Sequence, residues 1–422
     1  MKRFVICLDG TWQQLKQEKL TNIGIIARSV AHTHTTETGD KIPQVVIYSQ
    51  GVGTNTAALG KASFLGRTSR AINKMAGGIF GEGLEDLLVD TYLRLAFNYE
   101  HGDEIYIFGF SRGAFAARSL SGLINCSGII SRVHAEQAWE AFRLYRTALP
   151  RNATEAQRQE LEEARRHFRR TFGKGLRAED GTRVQNEAPP PITYLGIFDT
   201  VGQRGMPDAF GWISDLFNRR YGFHNLRICP NVRAARHAVA IDEKRLGFPP
   251  TLWQHIDEAN AEAHRRPDAD PKRIYYEQRW FVGAHGDVGG GNDSPLSAAP
   301  LKWISEGAAA CGLRFYATYG ADESPLDRTL REAGLKFDAP ITRPSFWKSL
   351  SPMNYPIYSR RIWNGKGHPS EADAEALIDA TVAMRAEAAR VRPRYRPAGL
   401  KPFKNVLRPI AARALKPDEL RP

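Results

Sequence analysis

Three residues in the sequence each follow a run of apolar residues. Together, their types can activate a hydroxyl group for attack on a carbonyl carbon. Ser111 lies in a Gly-x-Ser-x-Gly sequence, and Asp199 and His285 come directly after later runs. A serine hydroxyl is too weak an acid to attack alone, so a neutral imidazole within hydrogen-bonding reach must take its proton. A carboxylate then fixes the tautomer of the imidazole and stabilises the imidazolium that forms. The types and their order predict a triad with Ser111 as nucleophile, His285 as base and Asp199 as acid.

The sequence around Ser111 has the pattern of a nucleophile elbow, in which a serine occupies a tight, strained turn between a strand and a helix. Residues 104–110 are apolar enough for a strand, and Ala-rich residues after Gly113 favour a helix. Gly109 and Gly113 would let the strand and the helix pass closely, and the helix N-terminus favours a developing negative charge. The alternative is an ordinary glycine-rich turn, because the motif alone is common in a chain with 37 glycines.

Strand-like and helix-like segments alternate along the first three hundred residues. Strands are predicted at 3–8, 44–50, 104–110, 192–198 and 277–284, helices at 22–31, 83–100, from the elbow to 123 and at 296–311, and either type at 233–241. This alternation predicts an α/β fold with a mostly parallel, doubly wound sheet covered by helices on both faces. The carboxyl ends of parallel strands meet at one edge, which would bring Ser111, Asp199 and His285 together.

Further residues are predicted at the same edge. Gly10 and Thr11 follow the first strand, and a backbone N–H from one of them, with that of Arg112, is predicted to form an oxyanion hole. Asp9 is counted as a secondary site residue beside them. Asp287 either replaces Asp199 as the acid that orients His285 or caps the glycine loop that holds His285.

Each member of the triad also has a structural alternative. Asp199 could only cap the turn after its strand through an Asx hydrogen bond. His285 could be a core histidine bonded to a backbone carbonyl. His237 and His368 are rival bases, although neither directly follows a clear strand.

The composition limits the partners. The 422 residues carry a formal net charge of +13. This charge indicates an anionic partner, which could be a nucleic acid or a phospholipid surface. The alternative is that the basic residues only form a solvated surface. The basic C-terminal region has no ordered set of aromatic residues, so no nucleic acid is expected. The sequence lacks an H-x-x-x-H pair, a calcium-loop spacing and a P-loop, so neither a metal nor a cofactor is predicted. Its four dispersed cysteines indicate a reducing compartment.

The predicted organisation is a catalytic domain at 1–325 followed by an extension at 326–422 with a basic, Pro-rich and poorly packed tail. Residues 136–188 form a charged helical insertion, either a lid that meets a lipid surface or a salt-bridged pair of surface helices. The apolar run at 4–8 is too short for a signal peptide, and no run approaches a membrane span. We therefore expect a cytoplasmic protein, or one exported by a route that needs no signal.

Six motifs occur in an order that resembles a known family. They are Asp-Gly-Thr-Trp at 9–12, Gln-Gly-Val-Gly-Thr at 50–54, Gly-Phe-Ser-Arg-Gly-Ala at 109–114, Phe-Asp-Thr-Val at 198–201, Asp-Glu-Lys-Arg at 242–245 and His-Gly-Asp-Val-Gly-Gly at 285–290. Over residues 1–310 the chain resembles the uncharacterised α/β-hydrolase family that includes type VI secretion phospholipase effectors, the first lipase-effector class. The resemblance implies an α/β-hydrolase fold, a lipid or other carboxylic ester substrate, no cofactor, and the same roles for Ser111, Asp199 and His285.

Two departures from that family limit what the resemblance implies. Its known effectors are often longer, with a membrane-docking module after the hydrolase domain, whereas here about a hundred basic, Pro-rich residues follow. The role of a secreted toxin does not transfer with the fold, so a secretion or immunity partner remains open. The main hypothesis is a phospholipase that cleaves glycerophospholipid acyl esters. The alternatives are a soluble carboxylesterase or thioesterase for small acyl groups and a non-catalytic binding module with a hydrolase fold.

Overall fold

The structure is a computed structural model that places most of the chain. The residues that it describes are 1–10, 18–50, 79–147, 149–150, 152–174, 176–177, 183–184, 188–201, 227–245, 248–319, 321–334, 336–342, 360–362 and 368–420.

A seven-stranded sheet forms the centre of the fold. Its strands are β1 (Arg3–Leu8), β2 (Thr33–Thr35), β3 (Lys41–Ser49), β4 (Glu104–Phe110), β7 (Tyr194–Phe198), β8 (Ala235–Ala240) and β9 (Tyr276–Phe281). Their order across the sheet is β2-β3-β1-β4-β7-β8-β9. Only β2, at one edge, pairs antiparallel to its neighbour, and the other pairs are parallel. The carboxyl ends of β1, β4, β7, β8 and β9 therefore meet at one edge of the sheet.

Two short hairpins accompany this sheet, and the described helices surround it. The hairpins pair β5 (Leu176–Arg177) with β6 (Arg183–Val184) and β10 (Thr318–Tyr319) with β11 (Asp322–Glu323). The described α-helices are α1 (Asn22–Ser29), α2 (Ile79–Asn98), α3 (Arg112–Ser127), α4 (Ala138–Arg146), α5 (Glu155–Phe172), α6 (Ile256–Ala263), α7 (His285–Gly289), α8 (Ala298–Ala310), α9 (Pro325–Ala333), α10 (Glu371–Leu377), α11 (Ala380–Glu387) and α12 (Leu407–Ala412).

Helices cover both faces of the sheet, which explains why the central strands are apolar along their whole length. Alternate residues of β1 point to opposite faces: Phe4, Ile6 and Leu8 belong to the core beneath α2 and α3. Val5 and Cys7 belong to the core beneath α1 and α8. The fold is thus an α/β structure with a mostly parallel mixed sheet and a doubly wound arrangement, as the alternation of segments predicts.

Helices α4 and α5 lie within the predicted insertion, and the charges of α5 are largely paired on its own surface. Glu162 and Glu163 of α5 each contact two arginines one and two turns further along the same helix. Arg169 of α5 donates to the Cys126 carbonyl at 2.7 Å, near the last residue of α3. Because α3 has 16 residues and is therefore about 24 Å long, this contact lies a full helix length from Ser111. A lid formed by residues 136–188 remains a prediction.

The prediction of a poorly packed C-terminal tail is wrong for the residues that the structure describes. Helices α10 to α12 pack on the β8 and β9 side of the sheet in a third core cluster, which includes Trp280 of β9. Phe403, Leu407 and Ile410 are buried there at intervals of three and four residues, which is helical spacing hidden among prolines and basic residues. These side chains bury apolar surface in the third core cluster, although arginine and proline dominate the composition of the region.

Other element predictions need smaller corrections. The ambiguous segment at 233–241 is strand β8, and the helix expected from residue 83 begins at Ile79. The predicted elements do not include β2, the two hairpins, α6, the helices from α9 onward, or α7, which occupies the start of the predicted glycine loop. All four cysteines are free. Across the described residues, no helix is both long and apolar enough to cross a bilayer.

Candidate functional site

Ser111 occupies a strained turn between β4 and α3. Its backbone dihedrals are φ 58° and ψ −121°, a conformation that a residue with a side chain rarely adopts. A Cβ atom on Gly109 would lie 2.4 Å from the Gly113 carbonyl oxygen, and one on Gly113 would lie 2.1 Å from the Leu8 carbonyl oxygen. Only glycine permits these approaches, which explains the Gly-x-Ser-x-Gly spacing and the close passage of α3 over β1.

His285 lies within hydrogen-bonding distance of both other residues of the predicted triad. His285 Nε2 is 2.8 Å from Ser111 Oγ, and His285 Nδ1 is 2.6 Å from Asp199 Oδ2. Ser111 is 7% exposed, His285 6% and Asp199 0%. With Asp199 ionised, Nδ1 carries the proton of the neutral imidazole, which leaves Nε2 to accept a hydrogen bond from the serine hydroxyl.

The Asp199 carboxylate is held from several directions. Its Oδ1 accepts from the Ala240 backbone N–H at 3.0 Å and from Arg360 Nη1 at 2.5 Å. Arg360 Nη2 donates to Oδ2 at 3.1 Å. Burial alone would raise the pKa of the Asp199 carboxyl, but the charge of Arg360 and the contacts from His285 outweigh it, so this pKa lies well below its usual value. Asp199 is therefore ionised at neutral pH.

Aromatic side chains enclose the imidazole of His285. The Phe110 ring centroid lies 4.7 Å from that of His285, and the Phe248 centroid lies 4.9 Å away. The guanidinium of Arg245 stacks on Phe248, 3.8 Å from its centroid. These rings limit the orientations open to the imidazole and keep water from its faces.

The backbone of the His285 loop is anchored by two acidic side chains. The His285 N–H donates to Glu243 Oε2 at 3.1 Å. Asp287 accepts from the Ala284 N–H at 2.9 Å and from the Thr342 N–H at 2.9 Å, and its described hydrogen bonds do not include the imidazole. The geometry thus places Asp199 at the imidazole and Asp287 on the loop, as the capping alternative predicts.

The end of β1 differs in part from the predicted oxyanion site. The Gly10 N–H donates to Asp9 Oδ1 at 2.7 Å, so this amide is already committed inside its own turn. Asp9 also accepts from the hydroxyls of Tyr48 and Thr21, which ties β1 to β3 and to the start of α1. Burial raises the pKa of Asp9 in spite of these donors. Asp9 therefore organises the turn, and the prediction of Gly10 as an oxyanion donor needs correction.

The other two predicted oxyanion residues stay predictions. Arg112 begins α3 directly after Ser111, which places its backbone at the N-terminus of the helix. Thr11 lies outside the described residues, and its role stays a prediction.

The two rival histidines lie elsewhere. His237 is fully buried, accepts from the Thr200 N–H at 3.2 Å, and its Nδ1 is 2.9 Å from Gln278 Oε1. Burial lowers the pKa of His237 to about 3, so this side chain is neutral and supports the loop after β7. His368 Nδ1 lies 2.9 Å from the Pro402 carbonyl oxygen in the C-terminal region.

Sequence reasoning missed Arg360, Glu243 and Phe248 as parts of the site. Glu243 lies in one of the six ordered motifs, so a signal for it existed. Arg360 follows no motif and is one of 59 basic residues, and its contact with Asp199 spans 161 positions. A single sequence offers no pattern that would select it.

Comparisons with known proteins agree with the ordered motifs. The family model described as the type VI secretion system phospholipase effector Tle1-like catalytic domain matches residues 2–307. The uncharacterised protein YEL023C of Saccharomyces cerevisiae is 26% identical over 254 residues, which are 58% of this chain and 32% of that protein.

Two solved structures also match. An uncharacterised protein from Pseudomonas aeruginosa is 17% identical with a TM-score of 0.35, over 74% of this chain and 46% of that one. The Tle1 effector bound to the VgrG spike of the type 6 secretion system is 17% identical with a TM-score of 0.35, over 70% of this chain and 52% of that one. The chain thus spans between a third and about half of the length of these proteins.

Proposed function

Since the chain belongs to the family of Tle1-like phospholipase effector catalytic domains, we propose that it hydrolyses acyl esters of glycerophospholipids with a serine nucleophile. The observation that carries the proposal is the imidazole of His285, bonded to Asp199 at 2.6 Å on one side and 2.8 Å from Ser111 Oγ on the other. This arrangement has the parts that acyl transfer to a serine requires.

In the first half of the reaction, Ser111 Oγ bonds to the ester carbonyl carbon while its proton moves to His285 Nε2. The ionised Asp199 stabilises the imidazolium and keeps its ring oriented. When the tetrahedral intermediate collapses, the bond to the alcohol oxygen breaks and His285 Nε2 returns the proton to that oxygen. The products of this half are a lysophospholipid and an acylated Ser111.

In the second half, water takes the place of the alcohol. His285 removes a proton from the water as its oxygen attacks the acyl carbon, and the fatty acid leaves as Ser111 Oγ regains a proton. We assign the Arg112 backbone N–H as one donor to the oxyanion of both intermediates, because it follows the nucleophile at a helix N-terminus.

The net charge of +13 supports an anionic phospholipid surface as the partner that presents the substrate. We propose peripheral contact with such a surface, and we leave secretion and immunity partners as further proposals from family membership. Val133, just before the insertion, and Trp139, within it, are exposed and supply apolar side chains suited to a bilayer interface.

The test is fatty-acid release from anionic phospholipid vesicles by the full chain. Ser111→Ala should reduce release by roughly 10⁴-fold or more, as removal of a serine nucleophile does in other triads. The matched control is Ser121→Ala in the same helix, whose hydroxyl donates to the Arg118 carbonyl at 2.7 Å, and it should retain release.

Other outcomes separate the alternatives. Cleavage of a short-chain ester without release from vesicles would replace the phospholipid by a soluble ester or thioester. No hydrolysis, together with no labelling by a fluorophosphonate probe, would contradict a hydrolase and favour a binding module.

A further inference from the structure

Acidic residues after three consecutive strands of the sheet are each bonded to a residue from beyond the predicted catalytic domain. The pairs are Asp199 with Arg360, Asp242 with Tyr395, and Asp287 with Thr342. Two of these acidic residues hold the loop backbone: Asp242 also accepts from the Gly283 N–H, and Asp287 from the Ala284 N–H. The C-terminal part of the chain therefore reaches the candidate site at three points.

Arg360 makes the most direct of these contacts. Its Nη1 bonds to Asp199 Oδ1 at 2.5 Å and to the Ala240 carbonyl at 2.7 Å. Its Nη2 bonds to Asp199 Oδ2 at 3.1 Å and to the Phe248 carbonyl at 2.7 Å. The side chains of Arg360 and Asp199 are both fully buried.

A guanidinium in this position sets the orientation of the carboxylate as well as its charge. The planar fork contacts both oxygens, so it fixes the plane of the carboxylate relative to the imidazole. Asp199 needs such a constraint because its backbone has φ 34°, outside the regions where side-chain-bearing residues are relaxed. The carbonyls of Ala240 and Phe248 in turn anchor the guanidinium to the loops on either side.

We propose that Arg360 is a positioning residue of this site, which holds Asp199 ionised and aimed at His285, so that the C-terminal extension completes the catalytic apparatus. This inference rests on the proposed function, since it assigns Arg360 a role in activating Ser111. The family model ends at residue 307, so Arg360 lies outside the region that family membership covers.

The charged and titratable groups around this pair determine what the loss of Arg360 would do. Asp199 faces His285 and Arg360, while His237 lies behind it on β8 and is neutral. Glu243, paired with Arg245, lies on the backbone side of His285. Arg360 is the cation in direct contact with the carboxylate, and its removal makes protonation of the coupled Asp199–His285 pair easier.

The experiment measures the rate at which a fluorophosphonate probe labels Ser111 in the full chain as a function of pH. Arg360→Gln should label about 10- to 100-fold more slowly at neutral pH, because misplacing a reacting group by up to about 1 Å costs up to about 100-fold in rate. The acid limb of its pH profile should move upward by about one pH unit or more, because loss of the cation makes protonation of the coupled Asp199–His285 pair easier.

Two further variants separate positioning from structure. Arg360→Lys keeps the charge without the fork, so it should label more slowly with its acid limb near that of the unmodified chain. Arg390→Gln is the control, because Arg390 is an arginine of the same extension that pairs with Asp338 and Glu419 and takes part in none of the three contacts at the site. This variant should keep the labelling rate within about twofold of its original value. Its acid limb should stay within a few tenths of a pH unit of the original position.

The inference is overturned if Arg360→Gln keeps the original labelling rate and acid limb, or if Arg390→Gln produces the same loss and shift. If Arg360→Gln does not fold, Arg360→Lys decides: slow labelling supports positioning, and labelling at the original rate overturns it. Labelling does not depend on which ester is the substrate, so these results stand even where vesicles are not hydrolysed. An unmodified chain that is never labelled overturns both the inference and the proposed function.

Discussion

Gly113 offers a sharp test of how the elbow is built, through Gly113→Ala. The new Cβ would lie 2.1 Å from the Leu8 carbonyl oxygen and 2.5 Å from that of Asp9. Ordinary contact begins near 3.4 Å, so the gap to Leu8 must widen by 3.4 − 2.1 = 1.3 Å. Both obstacles are backbone atoms at the end of β1, which is held by strands on either side. The start of α3 must therefore move, and Ser111 moves with it.

The size of the effect follows from that displacement. Overpacking of this kind costs about 1–3 kcal/mol, and the gain in helix propensity from glycine to alanine offsets up to about 1 kcal/mol. We expect Gly113→Ala to lower the free energy of unfolding by about 2 kcal/mol. A displacement of about 1 Å between reacting groups costs roughly 100-fold in rate, so Ser111 labelling should fall by about that factor.

The assay combines urea denaturation with fluorophosphonate labelling under conditions where the variant is folded. The control is Gly122→Ala in the same helix, where the Cβ would lie 2.7 Å from Tyr145 Cε2. That obstacle is a side chain that can turn, so stability should stay within about 1 kcal/mol and labelling should not change. The reasoning fails if Gly113→Ala keeps the stability and labelling rate of the unmodified chain, or if Gly122→Ala loses as much of either.

Three further predictions concern buried polar groups. The pKa of His237 is about 3 in the folded chain and 6.5 in the unfolded chain. Below pH 6.5 the unfolded chain therefore binds one more proton, and the free energy of unfolding falls by about 1.4 kcal/mol for each pH unit. His237→Gln should flatten that slope in urea midpoints between about pH 4 and 7; an unchanged slope would exclude His237 as its source. Glu243→Gln breaks a buried ion pair and weakens the anchor of the His285 amide, so it should lose about 2–4 kcal/mol and slow Ser111 labelling, whereas equal stability would contradict the pairing. Tyr92→Phe should lose about 1–3 kcal/mol by calorimetry, because the hydroxyl bonds to the Gly128 carbonyl and a nearby amide; a loss near zero would mean that these groups find other partners.

The parts of the fold and site that sequence reasoning predicted are those with a local pattern. Ser111, Asp199 and His285 each follow a buried strand, and parallel strands end at a common edge, so their convergence could be derived without coordinates. Arg360 could not be found in this way, because its role depends on a partner 161 positions away and on burial that no local pattern indicates.

Two errors have specific physical causes. Gly10 looks like an oxyanion donor from its place after β1, yet the side chain of the preceding residue, Asp9, captures its amide. That competition depends on a side-chain rotamer, which a sequence does not specify. The C-terminal helices are not predicted because proline and arginine dominate the composition of this region. The apolar residues between them, Phe403 among them, nevertheless pack together in the third core cluster.

The separation of the site residues along the chain also determines when the site can form during synthesis. The base of Ser111 is 174 positions downstream, and Arg360 comes 360 − 285 = 75 positions after that base. At translation rates of 5–20 residues per second, the nucleophile waits roughly 9 to 35 seconds for its imidazole and roughly 4 to 15 seconds more for the guanidinium. Contacts this distant in sequence also form late in folding, because the chain must first meet the entropy cost of closing long loops. Under the proposed mechanism, a growing chain therefore carries Ser111 without the groups that would activate it, and reactivity would arise only when almost the whole sheet and its C-terminal cover are in place.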